Sequence, residues 1–354
     1  ALWFSLSAVL IPILGILAHA KLQGTLFDFG KKVSPTFSLI YCYLVYTISI
    51  SLPSPRTASV THEMAIQPLF DSSSWLTSGV YFLLVFIFVM NRSRILDIIG
   101  KILPPAMVLD LVSINFIAAV TLGAQNGISS FPSPFNHAIL EGYQTFDAIG
   151  SVVVGGVIII SLNLKHPTVG YTEKKQTIAQ AGMLAGLGLF LVYGGLIYAG
   201  ALHQNVFDAD ISRTQLLQSI SLSTLGNIAN AFLTVLVSIA CFTTAVGIVT
   251  GTADFVKGRF QDSNTAYLIT AILGCVLGVL MGQFNVGYII QVALPALMFI
   301  YPVTIALILL NILPEIYATP KVFRSVVFTT LLFSIPDFMN TLGFGEITQT
   351  YFSW

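Results

Sequence analysis

The segment from residue 141 to residue 151 carries many polar groups at the head of a long apolar stretch. It reads Glu-Gly-Tyr-Gln-Thr-Phe-Asp-Ala-Ile-Gly-Ser, with carboxylates at Glu141 and Asp147. Membrane transporters often interrupt a helix at mid-membrane, so that the free helix ends face a charged substrate group or an ion. Gly142 and Gly150 would tolerate such an interruption. The alternative is a helix that starts late, with both acids near its N-terminus.

Two adjacent hydroxyls, Thr243 and Thr244, lie inside another apolar stretch. Hard cations take oxygen ligands, and a threonine pair supplies two of them without adding charge. The hydroxyls would then be candidates for binding Na⁺. The alternative is that both bond back to a carbonyl one turn earlier in their own helix.

Three charged residues are further candidates, because charge at membrane depth is costly and is usually functional. Arg56 follows a Pro-Ser-Pro sequence whose prolines are expected to end the preceding helix. It can pair with Glu63, or it can be a plain loop arginine. Asp110 lies in the middle of an apolar window, with Ser113 one turn further on. It can relay a proton or an ion, or be satisfied by neighbouring hydroxyls.

The elements that hold these residues are indicated by composition. Of the 354 residues, 55% are hydrophobic and 8% are charged, against roughly 25% charged in soluble proteins. Apolar windows of the ~20 residues needed to cross a bilayer recur along the chain, without the two-residue alternation of barrel strands. The sequence therefore predicts an all-α integral membrane protein, a multi-span helical bundle forming one transmembrane domain over residues 1–354. The zero net charge argues against a nucleic-acid partner, and soluble-enzyme motifs are absent, so we expect no enzyme.

About ten membrane spans are predicted. They lie near residues 2–19, 37–52, 76–90, 103–123, 139–163, 176–201, 228–252, 265–281, 286–311 and 323–341. Of the 15 Lys and Arg, 13 fall in the odd-numbered connecting loops or, for Arg324, just beyond the ninth, leaving only Arg56 and Arg213 in the even-numbered ones. Cytoplasmic loops carry the excess of basic residues, so the odd loops are predicted to be cytoplasmic and the chain to start outside.

Read in order, five stretches of this sequence resemble the bacterial branched-chain amino acid:cation symporter family. They are LIPILGILA at 10–18, PRTA at 55–58 followed by Glu63, EGYQTFDA at 141–148, ACFTTAVG at 240–247 and YPV at 301–303. The resemblance covers essentially the whole chain. That family is similar in architecture to sodium-coupled transporters built from two inverted five-helix repeats.

The resemblance also implies roles for the residues above. The substrate would be held by Gly142, Tyr143, Thr145, Phe146 and Asp147. A sodium site would use Thr243 and Thr244 together with the family's first helix. That helix, broken at glycines, has no counterpart in this sequence, so we expect half of both sites to be missing. The outside start is what deletion of one preceding helix would produce.

The expected function is therefore symport of leucine, isoleucine or valine with Na⁺ or H⁺ by alternating access, in a bacterial plasma membrane. The partners are a small amino-acid substrate and the lipid bilayer; no cofactor beyond the coupling ion is expected. The alternatives are a transporter of the same fold for another amino acid or small solute, a passive channel, a membrane-embedded enzyme, and an inactive truncated fragment. The preferred amino acid, the coupling ion, its stoichiometry and the oligomeric state stay open.

Overall fold

The computed structural model describes residues 2–91, 94–122, 134–165, 167–203, 206 and 211–344. In these ranges the regular structure is helical. The α-helices are α1 Leu2–Ser5, α2 Ile11–Leu22, α3 Leu26–Gly30, α4 Pro35–Ser51, α5 Pro53–Thr61, α6 Ser74–Met90, α7 Arg94–Leu122, α8 Pro134–Tyr143, α9 Asp147–Lys165, α10 Tyr171–Leu202, α11 Arg213–Arg259, α12 Asn264–Gly282, α13 Val286–Ile312 and α14 Pro320–Thr341. Two π-helical stretches, Leu6–Leu10 and His62–Ile66, continue α1 and α5.

The described helices confirm the prediction of an all-α, multi-span membrane protein. Within the described ranges, 8 helical segments are long and apolar enough to cross a bilayer. Two shorter apolar helices, Ser74–Met90 and Leu103–Ala118, coincide with the third and fourth predicted spans. Each of the ten predicted spans thus falls on an apolar helix, although residue 123 of the fourth lies outside the described residues. The number of helices that cross the membrane stays a prediction.

The chain forms two compact units, which are described separately. Unit 1 comprises Ile50–Pro134 and Gly188–Ile289 in their described parts. Unit 2 comprises Leu2–Ser49, Phe135–Leu187 and the described part of Ile290–Trp354. Every contact discussed below lies inside one unit.

The second helix ends before Pro53 and Pro55 as expected, because α4 ends at Ser51. The expectation of a loop after it is wrong: only Leu52 (φ −123°, ψ −67°) is non-helical, and α5 begins at Pro53. Proline is favourable in the first turn of a helix because its missing N–H would have no helical partner there. The two prolines therefore start a helix, and Arg56 lies in α5 rather than in a loop.

Small residues let the helices of each unit pack closely, as the sequence suggested for lipid-embedded helices. In unit 1 a Cβ on Gly274 would meet the side chain of Ile50, and one on Gly278 would meet the ring of Phe82. These glycines border a core cluster formed by α5, α6, α11 and α12. In unit 2, Gly182 packs in the same way against Ile16.

Candidate substrate and ion site

The predicted helix interruption is present in unit 2, between the end of α8 at Tyr143 and the start of α9 at Asp147. Phe146 adopts a left-handed conformation with φ 63° and is buried. Two backbone hydrogen bonds between residues three apart close the turn. The Thr145 N–H donates to Gly142 O over 3.3 Å, and the Phe146 N–H donates to Tyr143 O over 3.2 Å. Asp147 also occupies the first position of α9, as the late-start alternative requires.

Two side chains support the interrupted backbone. The Thr145 hydroxyl donates to Gly142 O over 2.8 Å and accepts from the Asp147 N–H over 3.4 Å. The Ala148 N–H, near the N-terminus of α9, donates over 3.1 Å to the hydroxyl of Tyr301 in α13. The first N–H groups of a helix have no partner inside the helix, so the Tyr301 hydroxyl satisfies a group that would otherwise be free.

Tyr301 also contacts Tyr143, the last residue of α8. Its ring stacks on the ring of Tyr143, with 4.4 Å between centroids and 25° between planes, and its side chain is fully buried. Stacked aromatic pairs contribute about 0.5–1.5 kcal/mol beyond the area that they bury. The end of α8 and the start of α9 are therefore both held by one residue of α13.

Glycine flexibility does not create the interruption, contrary to the expectation for Gly142 and Gly150. Both lie inside helices, and the left-handed residue is Phe146. Gly142 instead permits close packing, because a Cβ there would overlap the side chain of Ser7. A Cβ on Gly150 would meet no atom within 4 Å.

The threonine pair lies in α11 of unit 1. The hydroxyls of Thr243 and Thr244 both donate to Ala240 O, each over 2.9 Å. This is the back-bonding alternative. It leaves the lone pairs of both oxygens available, since a hydroxyl that donates can still accept or bind a cation. Thr243 is half-buried and Thr244 is exposed.

Glu63 lies in the π-helical stretch His62–Ile66 of unit 1. One carboxylate oxygen accepts from the Thr214 hydroxyl over 2.5 Å, and the other accepts from the Val286 N–H over 3.0 Å. Thr214 is in the first turn of α11 and Val286 is the first residue of α13, so the negative charge lies at two helix N-termini, where it is favourable. Glu63 thereby fastens three elements together.

A cavity of about 640 Å³ opens beside Glu63 in unit 1. Its lining comes from the second, sixth and eighth connecting segments, including Ser59, Arg213 and Asn285. The Ser59 hydroxyl donates to Phe284 O over 2.7 Å, which ties the second segment to the eighth. A shared cavity agrees with a common side of the membrane for all three segments, and the basic-residue count predicts that this is the outer side.

Asp110 is buried in α7 of unit 1, and its Oδ2 has no hydrogen-bond partner among the described residues. The neighbouring Ser113 hydroxyl does not satisfy it, because that group donates to Leu109 O over 2.8 Å. Asn115 is also buried, with neither side-chain polar atom paired in the described part of the chain. Its amide lies against Gly195 of α10, where a Cβ would leave no space for it.

The whole chain, residues 1–354, matches a known protein family described as "Branched-chain amino acid transport protein". The chain belongs to this family. It is similar to the branched-chain amino acid permease BraB of Bacillus subtilis, 29% identical over 97% of this chain and 78% of that protein. It is likewise similar to the permease BrnQ of Salmonella typhimurium, 28% identical over 99% of this chain and 81% of that protein. A carrier of the branched-chain amino acid transport system 2 of Pseudomonas aeruginosa is 28% identical over 95% of this chain and 78% of that protein.

Membership of the branched-chain amino acid transport family settles the class of the protein. It is a transport protein and not an enzyme, as the sequence indicated. It is a multi-pass protein of the bacterial plasma membrane, in agreement with its apolar helices. The family resemblance seen in the five sequence stretches is confirmed.

The structure brings together some of the predicted residues of this family member. Gly142, Tyr143, Thr145, Phe146 and Asp147 are neighbours around the interruption in unit 2. Thr243, Thr244, Arg56, Glu63 and Asp110 belong to unit 1. Sequence reasoning missed Tyr301 as a supporting residue, and quoted it only inside the YPV stretch. A tyrosine in an otherwise apolar span is a usable signal, because its buried hydroxyl needs a partner.

Proposed function

We propose that the protein is a secondary transporter that carries leucine, isoleucine or valine across the membrane by symport with Na⁺ or H⁺. Family membership and the similarity to branched-chain amino acid permeases support the substrate class. The proposal rests mainly on the helix interruption between Tyr143 and Asp147, which the Tyr301 hydroxyl stabilises. An interrupted helix offers free backbone groups of both signs at membrane depth.

The α-carboxylate of the substrate binds at the N-terminus of α9. The first N–H groups of a helix and its dipole favour an anion there. Asp147 and Ala148 begin this helix, and the Ala148 N–H is within 3.1 Å of the Tyr301 hydroxyl. That hydroxyl can donate its own proton to a carboxylate while it accepts from Ala148.

The ammonium group of the substrate binds on the opposite side of the interruption. The carbonyl oxygens at the end of α8 carry the negative end of that helix dipole. Tyr143 O lies there and accepts from the Phe146 N–H, so its second lone pair can accept from the ammonium group. The carboxylate of Asp147 adds a negative charge next to it.

The aliphatic side chain of the substrate packs on the aromatic residues Tyr143 and Phe146. Aromatic and apolar walls accommodate branched aliphatic groups but reject charged ones, because a buried charge without a partner is costly. One methylene in such a pocket changes binding by only about 1–3 kcal/mol. We therefore expect leucine, isoleucine and valine to share the site with modest preference.

The coupling ion, if it is Na⁺, binds through the Thr243 and Thr244 hydroxyls. Both oxygens keep lone pairs after their bonds to Ala240 O. An ion drives transport when it binds one conformation more tightly than the other and so shifts the population between inward- and outward-open states. Alternating access is the mechanism that uses this shift.

Uptake by the protein reconstituted in proteoliposomes tests the proposal. Labelled leucine is offered under an inward Na⁺ gradient, an inward H⁺ gradient, both, or neither, with liposomes lacking protein as the control. We expect accumulation above equilibrium with at least one gradient, and competition by isoleucine and valine but not by glutamate or lysine. Equilibration that ignores both gradients contradicts symport, and competition by unrelated amino acids alone contradicts the substrate class.

A further inference from the structure

His19 of α2 is fully buried in unit 2, and both nitrogens of its ring face backbone carbonyl oxygens. Nδ1 lies 2.9 Å from Gly24 O, and Nε2 lies 2.9 Å from Val152 O in α9. A neutral imidazole has one N–H and one lone pair, so it can donate to only one of these oxygens. The other oxygen would then face the ring lone pair at hydrogen-bond distance, which is repulsive. Both contacts are favourable together only when the ring carries two protons.

The surroundings hold the ring in this position. α9 forms a notch at Gly155, where a Cβ would lie 2.7 Å from Nε2 and 2.9 Å from Cγ of the ring. On the side of α3, the Phe29 ring lies 4.6 Å from the imidazole centroid. A ring enclosed in this way cannot exchange a carbonyl for another partner by a small rotation. If it loses a proton, one of the two contacts must open.

The charged groups around the ring are few. Burial of the ring disfavours the cation and is the larger influence, while Asp28 of α3 favours the cation electrostatically. On α9, Asp147 and Lys165 lie at the two ends of the helix, and the part that faces the ring presents Val152 O and Gly155. On α2 itself, the Lys21 ammonium donates to carbonyls at the end of α13, among them Leu313 O over 2.6 Å. α10, packed on α2 through Gly182, carries its charged residues Glu173, Lys174 and Lys175 in its first turns.

Another buried histidine, His62, contacts a hydroxyl instead of a second carbonyl. Its Nδ1 lies 2.9 Å from the Thr77 hydroxyl. A hydroxyl can donate or accept, so it suits a neutral ring in either tautomer. A carbonyl can only accept.

We propose that His19 is a proton-binding site, and that the bound proton fastens α9 to the α2–α3 segment. The neutral ring takes one H⁺ from water onto the nitrogen that carries its lone pair, and the new N–H donates to the carbonyl it faces. Charge-assisted hydrogen bonds of this kind are stronger than neutral ones. Loss of the proton reverses the step and releases either Gly24 O or Val152 O.

The site is linked to the substrate site through one short helix segment. Val152 lies in α9, five residues after Asp147 at the interruption. Proton binding at His19 therefore affects the position of the helix whose N-terminus is proposed to hold the substrate carboxylate. This role rests on the proposed transport function, and it identifies H⁺ as a coupling ion with His19 as its carrier.

Nuclear magnetic resonance of the purified protein in lipid nanodiscs tests proton binding without substrate or gradient. The protein is labelled with ¹⁵N in histidine rings and ¹³C in valine carbonyls, and His19→Gln and Val152→Ile identify the two signals. We expect both ring nitrogens of His19 to carry protons at the acid end of a titration between about pH 4 and pH 8, and one of them to lose its proton at the alkaline end. The Val152 carbonyl shift should follow with the same midpoint. A His19 ring that keeps one N–H throughout, or a Val152 shift that ignores its titration, overturns the proposal.

Two adjacent glycines give a matched pair of variants. In Gly155→Ala the added Cβ occupies the place of the ring, so the pH-dependent Val152 shift should disappear. In Gly156→Ala the Cβ meets its nearest atoms at 3.6 Å, so the shift should persist. If the pH-dependent Val152 shift is the same in both variants, Gly155 does not make the space that His19 needs. His62 and His203 serve as internal references in the same spectra.

Leucine uptake measured in parallel separates this proposal from the transport function. Proton-gradient-driven uptake should fall at least about tenfold in His19→Gln, equivalent to about 1.4 kcal/mol, while facilitated equilibration of leucine continues. If His19 titrates but the protein moves no leucine, the proton site is supported and the transport function is refuted. If proton-gradient-driven uptake has the same rate in His19→Gln as in the original protein, the transport function is supported and the coupling role of His19 is refuted.

Discussion

At the scale of single residues, the two glycines beside the helix interruption differ in their surroundings. Gly142→Ala places a Cβ against Ser7, and such overpacking costs about 1–3 kcal/mol. Gly150→Ala enters open space inside α9, where replacing glycine stabilises by about 0.4–1 kcal/mol. We expect the melting temperature in detergent to fall for the first variant and to stay equal or rise for the second. Equal losses in both would mean that the backbone, and not the Ser7 contact, requires glycine.

Thr270 provides a control for the proposed role of Thr243 and Thr244 in binding Na⁺. Thr270 in α12 donates to Ala266 O over 2.8 Å, as Thr243 and Thr244 do to Ala240 O. If the pair binds Na⁺, Thr243→Val and Thr244→Val should each raise the Na⁺ concentration for half-maximal leucine uptake roughly tenfold, since one ligand oxygen is lost. Thr270→Val should leave it unchanged. Three variants with the same Na⁺ dependence as the original protein would remove the pair from the ion site.

The residues around the interruption show what the sequence could and could not predict about the candidate site. The density of polar groups between 141 and 151 predicted an interruption, because such groups are costly in an apolar span. The left-handed residue could not be chosen, since Phe146 has no local preference for positive φ. Tyr301 could not be placed either, because it lies 153 residues from its partner Ala148. Only the packed structure joins them.

At the scale of elements, α11 contains a second interruption that the sequence analysis missed. Gly226 has φ 76° and ψ −172°, inside a helix that otherwise runs from Arg213 to Arg259. This region of backbone space is nearly exclusive to glycine, and another residue there costs about 1–3 kcal/mol. We expect Gly226→Ala to lower the melting temperature and straighten or displace the first part of α11. Gly247→Ala, in the regular part of the same helix with no atom within 4 Å, is the control and should not.

The helices themselves were predictable where the signal was continuous. Long apolar windows without the alternation of barrel strands indicated the helices of the bundle, because a helix satisfies its own backbone groups inside lipid. At Pro53 the rule for proline predicted the end of α4 but not the start of α5 in the next residue. The contacts of α5 with α11 and α12 stabilise this new helix, and these contacts are not local in sequence.

At the scale of the whole molecule, even-numbered connecting segments contact one another in unit 1, and odd-numbered ones contact one another in unit 2. In unit 1 the second, sixth and eighth segments join around Glu63. In unit 2 the first, fifth and ninth join: Lys21 donates to Leu313 O, and the Tyr171 hydroxyl donates to Lys21 O over 2.8 Å. Alternate loops must share one side of a membrane if every predicted span crosses it. The contacts thus agree with the distribution of basic residues, which is an independent property of the sequence.

This agreement predicts which residues a reagent outside the cell can reach. After Cys42, Cys241 and Cys275 are replaced by alanine, single cysteines are introduced at Gln67 or Thr265, both of which are exposed. Gln67 lies in the second segment, and Thr265 is the second residue of α12, directly after the seventh segment. A membrane-impermeant maleimide should label Gln67→Cys in intact cells, and Thr265→Cys only after permeabilisation. The reverse pattern would invert the orientation. Labelling of both in intact cells would mean that α12, which leads from Thr265 to the eighth segment beside the second, does not cross the membrane.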